Sequence, residues 1–173
     1  MLVFDLETNG LLDDVTQVHC LVIYDSEADQ TVHYNDQGNE EPIVRGVQRL
    51  EDADIIVGHN VLGFDLPVLH KIYSWFDPKA LVIDTLLLSR LYYTDRLEKD
   101  FGRKEDRPNM PLQLYGRHSL ESYGHRMKEY KGEFGKTTDW QQWSPEMETY
   151  CAQDVKVTTK LCDHFHKFLS GFY

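Results

Sequence analysis

Two carboxylates, Asp5 and Glu7, close an otherwise apolar segment that begins Leu2-Val3-Phe4. In an extended strand, positions i and i+2 point to the same face, so both acids would leave the strand side by side. Like charges that close repel one another unless cations sit between them or water solvates them. Taken alone, the pair fits a hydrated strand end as well as a metal site. A second pair lies near the other end of the chain, in Tyr150-Cys151-Ala152-Gln153-Asp154. Tyr150 and Asp154 are four apart and share a helix face. Met147, Tyr150, Cys151, Asp154, Thr158, Leu161, Phe165 and Leu169 follow helical spacing and mark the buried stripe, which puts Asp154 on the core side. A buried carboxylate must be paired, neutralised or metal-bound. A salt bridge to an arginine or a hydrogen bond to Tyr150 would also serve. Asp65 follows Gly58-His59-Asn60-Val61-Leu62-Gly63-Phe64, at a junction of strand and helix where α/β proteins gather ligands. By itself it reads better as a helix N-cap.

Together the four acids are more specific. Oxygen ligands without histidine or thiolate favour magnesium or manganese over zinc. Four carboxylates can hold two such ions about 3.5–4 Å apart, the arrangement that clamps the attacking and leaving oxygens of phosphoryl transfer.

The remaining pattern supplies the elements that must position these groups. Leu2–Glu7 reads as a buried strand ending in the turn Thr8-Asn9-Gly10, followed by strands at His19–Tyr24 and Thr31–Tyr34, an antiparallel meander. Pro42–Leu50 is a helix and Asp54–Val57 a buried strand. A helix starts near Asp65 with Pro67 in its first turn. Leu81–Ile83 is a strand, and Asp84 caps a helix to Tyr93. Residues 94–117, charged and holding Gly102, Pro108 and Pro111, read as a long surface loop. His118–Met127 is a short helix with Ser119 near its start, and 128–143 another loop. Ser144-Pro145 opens a helix to about Leu169. Strands that come first and then alternate with helices place the chain in the α/β class, a mixed sheet with helices on its faces.

The 173 residues suffice for one domain with a proper core, and 41% hydrophobic with 12% aromatic residues is the composition of a folded chain. No stretch has the length of a membrane span, and no signal peptide is visible. Cys20, Cys151 and Cys162, an odd number without CxxC spacing, read as reduced core thiols in an intracellular protein. A formal charge of -11 argues against a phosphate-binding partner until its distribution is considered. Residues 1–80 hold 4 Lys/Arg and 15 Asp/Glu, whereas 81–173 hold 14 of each. The stretch 90–136 holds 11 basic and 8 acidic residues. Acidity thus concentrates where three of the candidate ligands lie, and bound cations would reverse the field there.

Phe4-Asp5-Leu6-Glu7-Thr8, His59-Asn60 through Asp65, and Tyr150-x-x-x-Asp154 resemble the three exonuclease motifs of the DnaQ-like, or DEDD, superfamily. The variant is DEDDy, because Thr149 stands where the histidine variant carries His. Within that superfamily the chain resembles the N-terminal proofreading domain of family A DNA polymerases of short-tailed, T-seven-type phages. Asn9–Leu12, Val18–Asp25, Asp84-Thr85-Leu86, Ser89-Arg90-Leu91 and His118-Ser119-Leu120-Glu121 carry that likeness, which covers essentially the whole chain. Four residues separate Asn60 from Asp65, one more than in the common second motif, and the phage enzymes share this spacing.

The resemblance implies a ribonuclease H-like fold with a mixed five-stranded sheet flanked by helices, in a single 3′→5′ exonuclease domain over 1–173. It implies two divalent ions, Mg2+ or Mn2+. Asp5 would bridge them, Glu7 and Asp154 would complete the nucleophile side, and Asp65 would act at the second ion through water. Tyr150 would orient the attacking water, since a phenol with its usual pKa near 10 suits orientation better than proton removal. Thr8, Leu11, Leu12, Asn60 and Phe64 would surround the terminal nucleotide. The implied partners are a single-stranded DNA 3′ end and a DNA polymerase domain or subunit, with no membrane. The implied place is the cytoplasm of a phage-infected bacterium. Two further readings are an exoribonuclease of the RNase D kind, which shares the tyrosine motif, and a non-catalytic binding module on a nuclease fold.

Other candidates carry less. His164 and His166 are two apart on a helix, so their rings diverge and shared metal binding is not expected. His59 and His118 are expected to make structural hydrogen bonds. Arg96, Lys99, Arg103, Lys104 and Arg107 are expected in a solvated loop, with contact to DNA or a polymerase as the alternative, and Trp140 and Trp143 in packing.

Overall fold

The computed structural model describes residues 1–103, 105, 109–129 and 138–169. β1 (Leu2–Thr8) is apolar on both faces over its first half, as a strand at the centre of a covered sheet must be. It pairs antiparallel with β2 (Val18–Asp25) and parallel with β4 (Ile55–Gly58). β3 (Gln30–Asn35) continues the meander antiparallel to β2, and β5 (Leu81–Asp84) lies parallel to β4. The result is a mixed five-stranded sheet in the order β3-β2-β1-β4-β5; the opening meander and the mixed sheet were anticipated, the strand order was not.

Period-two alternation sorts β1 between two cores. Leu2, Phe4 and Leu6 face a core that also holds Ile43, Val47 and Leu50 of α1 (Ile43–Glu51) and Val68 and Leu69 of α2 (Asp65–Ile72). Val3 faces the other core, with Cys20, Val22, Ile83 and the Met147, Cys151, Val155 and Cys162 side chains of the last helix. Burying each such aliphatic side chain contributes about 1.5–3 kcal/mol, so the register of β1 is strongly specified. α1 lies close on the sheet because of Gly46: a Cβ there would stand 2.6 Å from Leu21 Cδ2.

α3 (Thr85–Tyr92) follows β5, with Asp84 as its N-cap accepting from Leu86 N and Leu87 N. α5 (Leu120–Met127) starts at Ser119, whose hydroxyl accepts from Ser122 N. The last helix, α6 (Pro145–Leu169), runs about 37 Å. Ser144 Oγ caps it by accepting from Met147 N at 3.1 Å. Glu148, read as neither core nor site, is buried and pins α6 to the sheet edge: Asn35 Nδ2 donates to its Oε2 at 2.7 Å, and His33 Nδ1 lies 2.9 Å from Oε1. Leu120 and Tyr123 of α5 pack against Val157, Leu161 and Phe165 of α6.

The expected surface loop over 94–117 is a correction. It contains α4 (Arg96–Gly102) and a 3-10 turn at Leu112–Leu114. Arg96 is buried rather than solvated, and so is Asp100, which Arg126 holds from α5 through Nε at 3.0 Å and Nη2 at 2.6 Å. This pairing across 26 positions organises the segment, and no local pattern encodes it. Of the basic residues assigned to the loop, Lys104 and Arg107 lie outside the described residues, as do Pro108 and half of the loop expected over 128–143. The expected stripe on α6 also needs correction at two places. Tyr150 and Leu169 are half-buried, while Val155, Val157 and Cys162 complete the buried face. Cys20, Cys151 and Cys162 are buried free thiols, as expected. Among the described residues no helix is long and apolar enough to cross a membrane.

Candidate active site

The ends of β1 and β4, the first turns of α2 and α5, and the start of α6 enclose a cleft of about 930 Å³. Asp5 and Glu7 reach it because they continue the Val3 face of β1 past the point where apolar packing stops. Their register partners on β2 are Val22 and Cys20, both in the α6-side core. A register shift between Glu7 and Thr8 marks the bulge that ends the pairing beside the site. Asp154 and Tyr150 enter from α6 and Asp65 from the first turn of α2, so all five candidate catalytic residues line this one cleft.

The carboxylates are close enough to feel one another. An oxygen of Asp5, an oxygen of Glu7 and Cys151 Sγ all lie within 4.8 Å. Burial, together with the negative charges of Asp84 and Asp154, pushes the Asp65 carboxyl up to about 8, against the pull of backbone N–H groups at Asp65 and Leu6. Burial is the main cause of that rise and the two neighbouring carboxylates add to it; a divalent cation bound beside them would offset both. The donor set selects which cations. Cys151 Sγ donates to the Asp5 carbonyl at 3.3 Å, and burial holds its thiol well above the usual range. The ligands that remain are hard carboxylate oxygens, which fit magnesium or manganese.

The Asp65 loop is held from below. Asp84, expected only as a cap for α3, also accepts from Asn60 N at 3.0 Å and Leu62 N at 3.1 Å. Asn60 sits at φ 63, a left-handed conformation that asparagine tolerates better than most residues. His59 Nδ1 lies 2.9 Å from Thr85 Oγ1, and His118 Nδ1 meets Ser89 Oγ, so both histidines make the expected structural hydrogen bonds while also lining the cleft. His164 meets the Tyr93 hydroxyl, away from the cleft.

The five residues expected around a terminal nucleotide are placed differently from one another. Asn60 and Phe64 line the cleft. Thr8 is buried, its hydroxyl donating to Gly10 O at 2.8 Å. Leu12 packs on the α1–α2 core, and Leu11 is 76% exposed.

Other residues of the cleft were not assigned to the site from sequence. Arg90 and Leu86, four apart on α3, both face it, a spacing that was legible. Arg117 and Glu121 line it too. Trp140, expected only in packing, packs beside the α6-side core and also reaches the cleft. Its ring meets Tyr150 edge-on, with centroids 6.3 Å apart and an angle of 73°, and its carbonyl lies 3.0 Å from His19 Nε2.

The chain is 32% identical over 184 residues to the DNA-directed DNA polymerase of Escherichia phage T7, and 32% identical over 185 residues to that of Enterobacteria phage T3. Each match covers 94% of this chain and 26% of the relative, so the chain spans about a quarter of those proteins' length. The structure of Brucella melitensis NrnC with bound Mg2+ is similar in fold, with a TM-score of 0.63 at 18% identity, covering 97% of this chain and 72% of that one. A family model described as the RNase_H superfamily matches residues 2–166, and the chain belongs to that superfamily.

Proposed function

We propose that the chain is a metal-dependent 3′→5′ exodeoxyribonuclease of the proofreading type, releasing nucleoside monophosphates from single-stranded or frayed DNA 3′ ends by a two-metal mechanism. The observation that carries this reading is the convergence of Asp5, Glu7, Asp65, Asp154 and Tyr150, from a strand, a loop–helix junction and the last helix, on one cleft. The likeness to phage DNA polymerases over 94% of the chain supports DNA as the substrate and a polymerase domain or subunit as the partner, within the cytoplasm of an infected bacterium.

Asp5, Glu7, Asp65 and Asp154 would hold two divalent ions, Mg2+ or Mn2+. When bound, such a pair supplies Lewis acidity at the attacking and leaving oxygens. The protein's own groups do the positioning. Tyr150, its ring steadied edge-on by Trp140, hydrogen-bonds the attacking water. That water's oxygen bonds to the terminal phosphorus as the bond to the preceding O3′ breaks. The terminal residue leaves as a 5′-monophosphate, and the shortened strand keeps a 3′ hydroxyl. Asn60 and Phe64, which line the cleft, would bound the terminal nucleotide on the α2 side; Thr8, Leu11 and Leu12 do not line it and would approach the nucleotide only from the segment just after β1. Arg90 and Arg117 bring positive charge to the strand's phosphates.

A 5′-labelled single strand incubated with Mg2+ tests the reading. The expected result is a ladder shortening one nucleotide at a time from the 3′ end, with a matched RNA strand degraded more slowly. Faster degradation of RNA would favour the exoribonuclease reading. Absence of metal-dependent mononucleotide release would make the chain a binding module.

A further inference from the structure

α3 and α5 lead away from the catalytic cleft to a second hollow, of about 410 Å³. Leu86 and Arg90 of α3 line the cleft, and Tyr93, just past its end, lines the hollow. Leu120 and Glu121 of α5 line the cleft, while Tyr123 and Arg126 line the hollow. Along α5 the two sets of lining residues are separated by about 6 Å of helical rise. Arg96, Lys99 and Arg103 complete one wall, and among the described residues no carboxylate lines it. In a chain of formal charge -11, this concentration of cations stands out.

The Arg96–Asp100–Arg126 cluster braces α4 against α5, and a brace alone would explain one arginine. Two buried guanidinium groups share the Asp100 carboxylate. Arg126 binds it directly, and Arg96 Nε is 3.6 Å from Oδ1. Asp100 is also occupied by Gly116 N at 3.0 Å. Arg96 Nε and Arg126 Nη1 are buried and meet no hydrogen-bond acceptor among the described residues. These atoms lie behind the wall rather than on it, but two guanidinium charges against the one Asp100 carboxylate leave a net positive charge there, which a phosphate seated in the hollow would balance.

The Tyr93 ring fits the same ligand. Arg96 Cζ lies 4.7 Å from the Tyr93 ring centroid, Lys99 Nζ 5.3 Å from the same ring, and Arg126 Cζ 4.8 Å from that of Tyr123. Tyr123 is buried in the α5–α6 core and offers no stacking face, but cations beside the half-exposed Tyr93 ring make a surface that single-stranded nucleic acid prefers. Lys99 pairs with Asp95 at 2.5 Å, but both side chains are roughly half exposed, and a surface pair of that kind exchanges for phosphate at little cost.

We propose that this hollow is a second nucleic-acid site, holding the backbone phosphates of the strand whose 3′ end enters the catalytic cleft. At about 3.4 Å per stacked nucleotide, the intervening distance corresponds to roughly two nucleotides. The inference rests on the proposed nuclease reading for the strand's polarity, and not for binding itself.

The test is fluorescence anisotropy with labelled oligothymidylates of 3 and 12 nucleotides, in EDTA so that nothing is cut. The full chain should bind the 12-mer about tenfold or more tighter than the 3-mer. Lys99→Gln with Arg103→Gln should abolish that gain and flatten the salt dependence by about 1.4 in log–log slope, about 0.7 for each lost phosphate contact. Arg103→Lys, which keeps the charge, should retain most of the gain. A double variant that binds the 12-mer as the parent does overturns the proposal. So does a variant that loses only binding of polyglutamate, which would assign the hollow to an acidic protein segment. Mononucleotide release with Mg2+ is read separately: its absence with length-dependent binding intact removes the nuclease reading and leaves this site standing.

Discussion

The carboxylate of Asp84 accepts the backbone N–H of Asn60 at 3.0 Å, tying the β4–α2 turn to the start of α3. One side chain thereby serves four amides: those of Asn60, Leu62, Leu86 and Leu87. Asp84→Ala strips the cap from α3 and leaves the turn's amides without their acceptor. A cap contributes about 1 kcal/mol and each further bond about 1 kcal/mol, so a loss of roughly 2–3 kcal/mol is expected. At about 2–4 °C per kcal/mol, the melting temperature should fall by roughly 5–10 °C, with Asp84→Asn falling less. A melt that barely moves would show that water replaces the carboxylate.

The state of Asp65 gives a pH dependence with a definite sign. Its folded value of about 8 lies above that of an unfolded aspartate. Between about pH 4 and 8 the unfolded chain therefore binds fewer protons than the native one, and stability falls as pH rises through that window. In EDTA, denaturant midpoints should decline from pH 5 to pH 8, and Asp65→Asn should flatten the decline. Mg2+ or Mn2+ should restore stability at pH 8 in the parent and much less in the variant. A decline of equal steepness in Asp65→Asn would place its origin at another group.

Arg126 braces α4 through the buried Asp100 carboxylate. Breaking a buried pair from one side typically costs about 3–5 kcal/mol. Arg126→Ala should lower stability by an amount in that range in urea titrations, and Arg126→Lys should recover only part, because a single ammonium cannot reproduce the two bonds at 3.0 and 2.6 Å.

Tyr150→Phe keeps the edge-on contact with Trp140 and removes only the hydroxyl. Turnover on single-stranded DNA should fall by about tenfold to a hundredfold, roughly 1.4–2.7 kcal/mol, with the melting temperature nearly unchanged. An unaltered rate would remove Tyr150 from the chemistry.

Much of this architecture was legible in the sequence because it is written in short-range periodicity. Alternation in β1 put Asp5 and Glu7 on one face, and helical spacing in α6 put Asp154 on the core side. What escaped depends on partners far along the chain. Glu148 is buried by His33 and Asn35, more than a hundred positions away. α4 was hidden because its charges and the nearby Gly102, Pro108 and Pro111 imitate a loop, while the force that orders it is the Asp100–Arg126 pair. Trp140 and Arg117 join the cleft only when their segments fold over it, and no local spacing announces that.

The most direct test of the central claim is the rate of mononucleotide release from single-stranded DNA in Mg2+ or Mn2+, measured for the parent chain and for Asp5→Ala side by side. If carboxylates from the first strand and the last helix share divalent ions, the variant loses at least about a hundredfold, some 2.7 kcal/mol of transition-state stabilisation, with either metal. A variant that releases nucleotides at the parent rate would contradict the shared metal site.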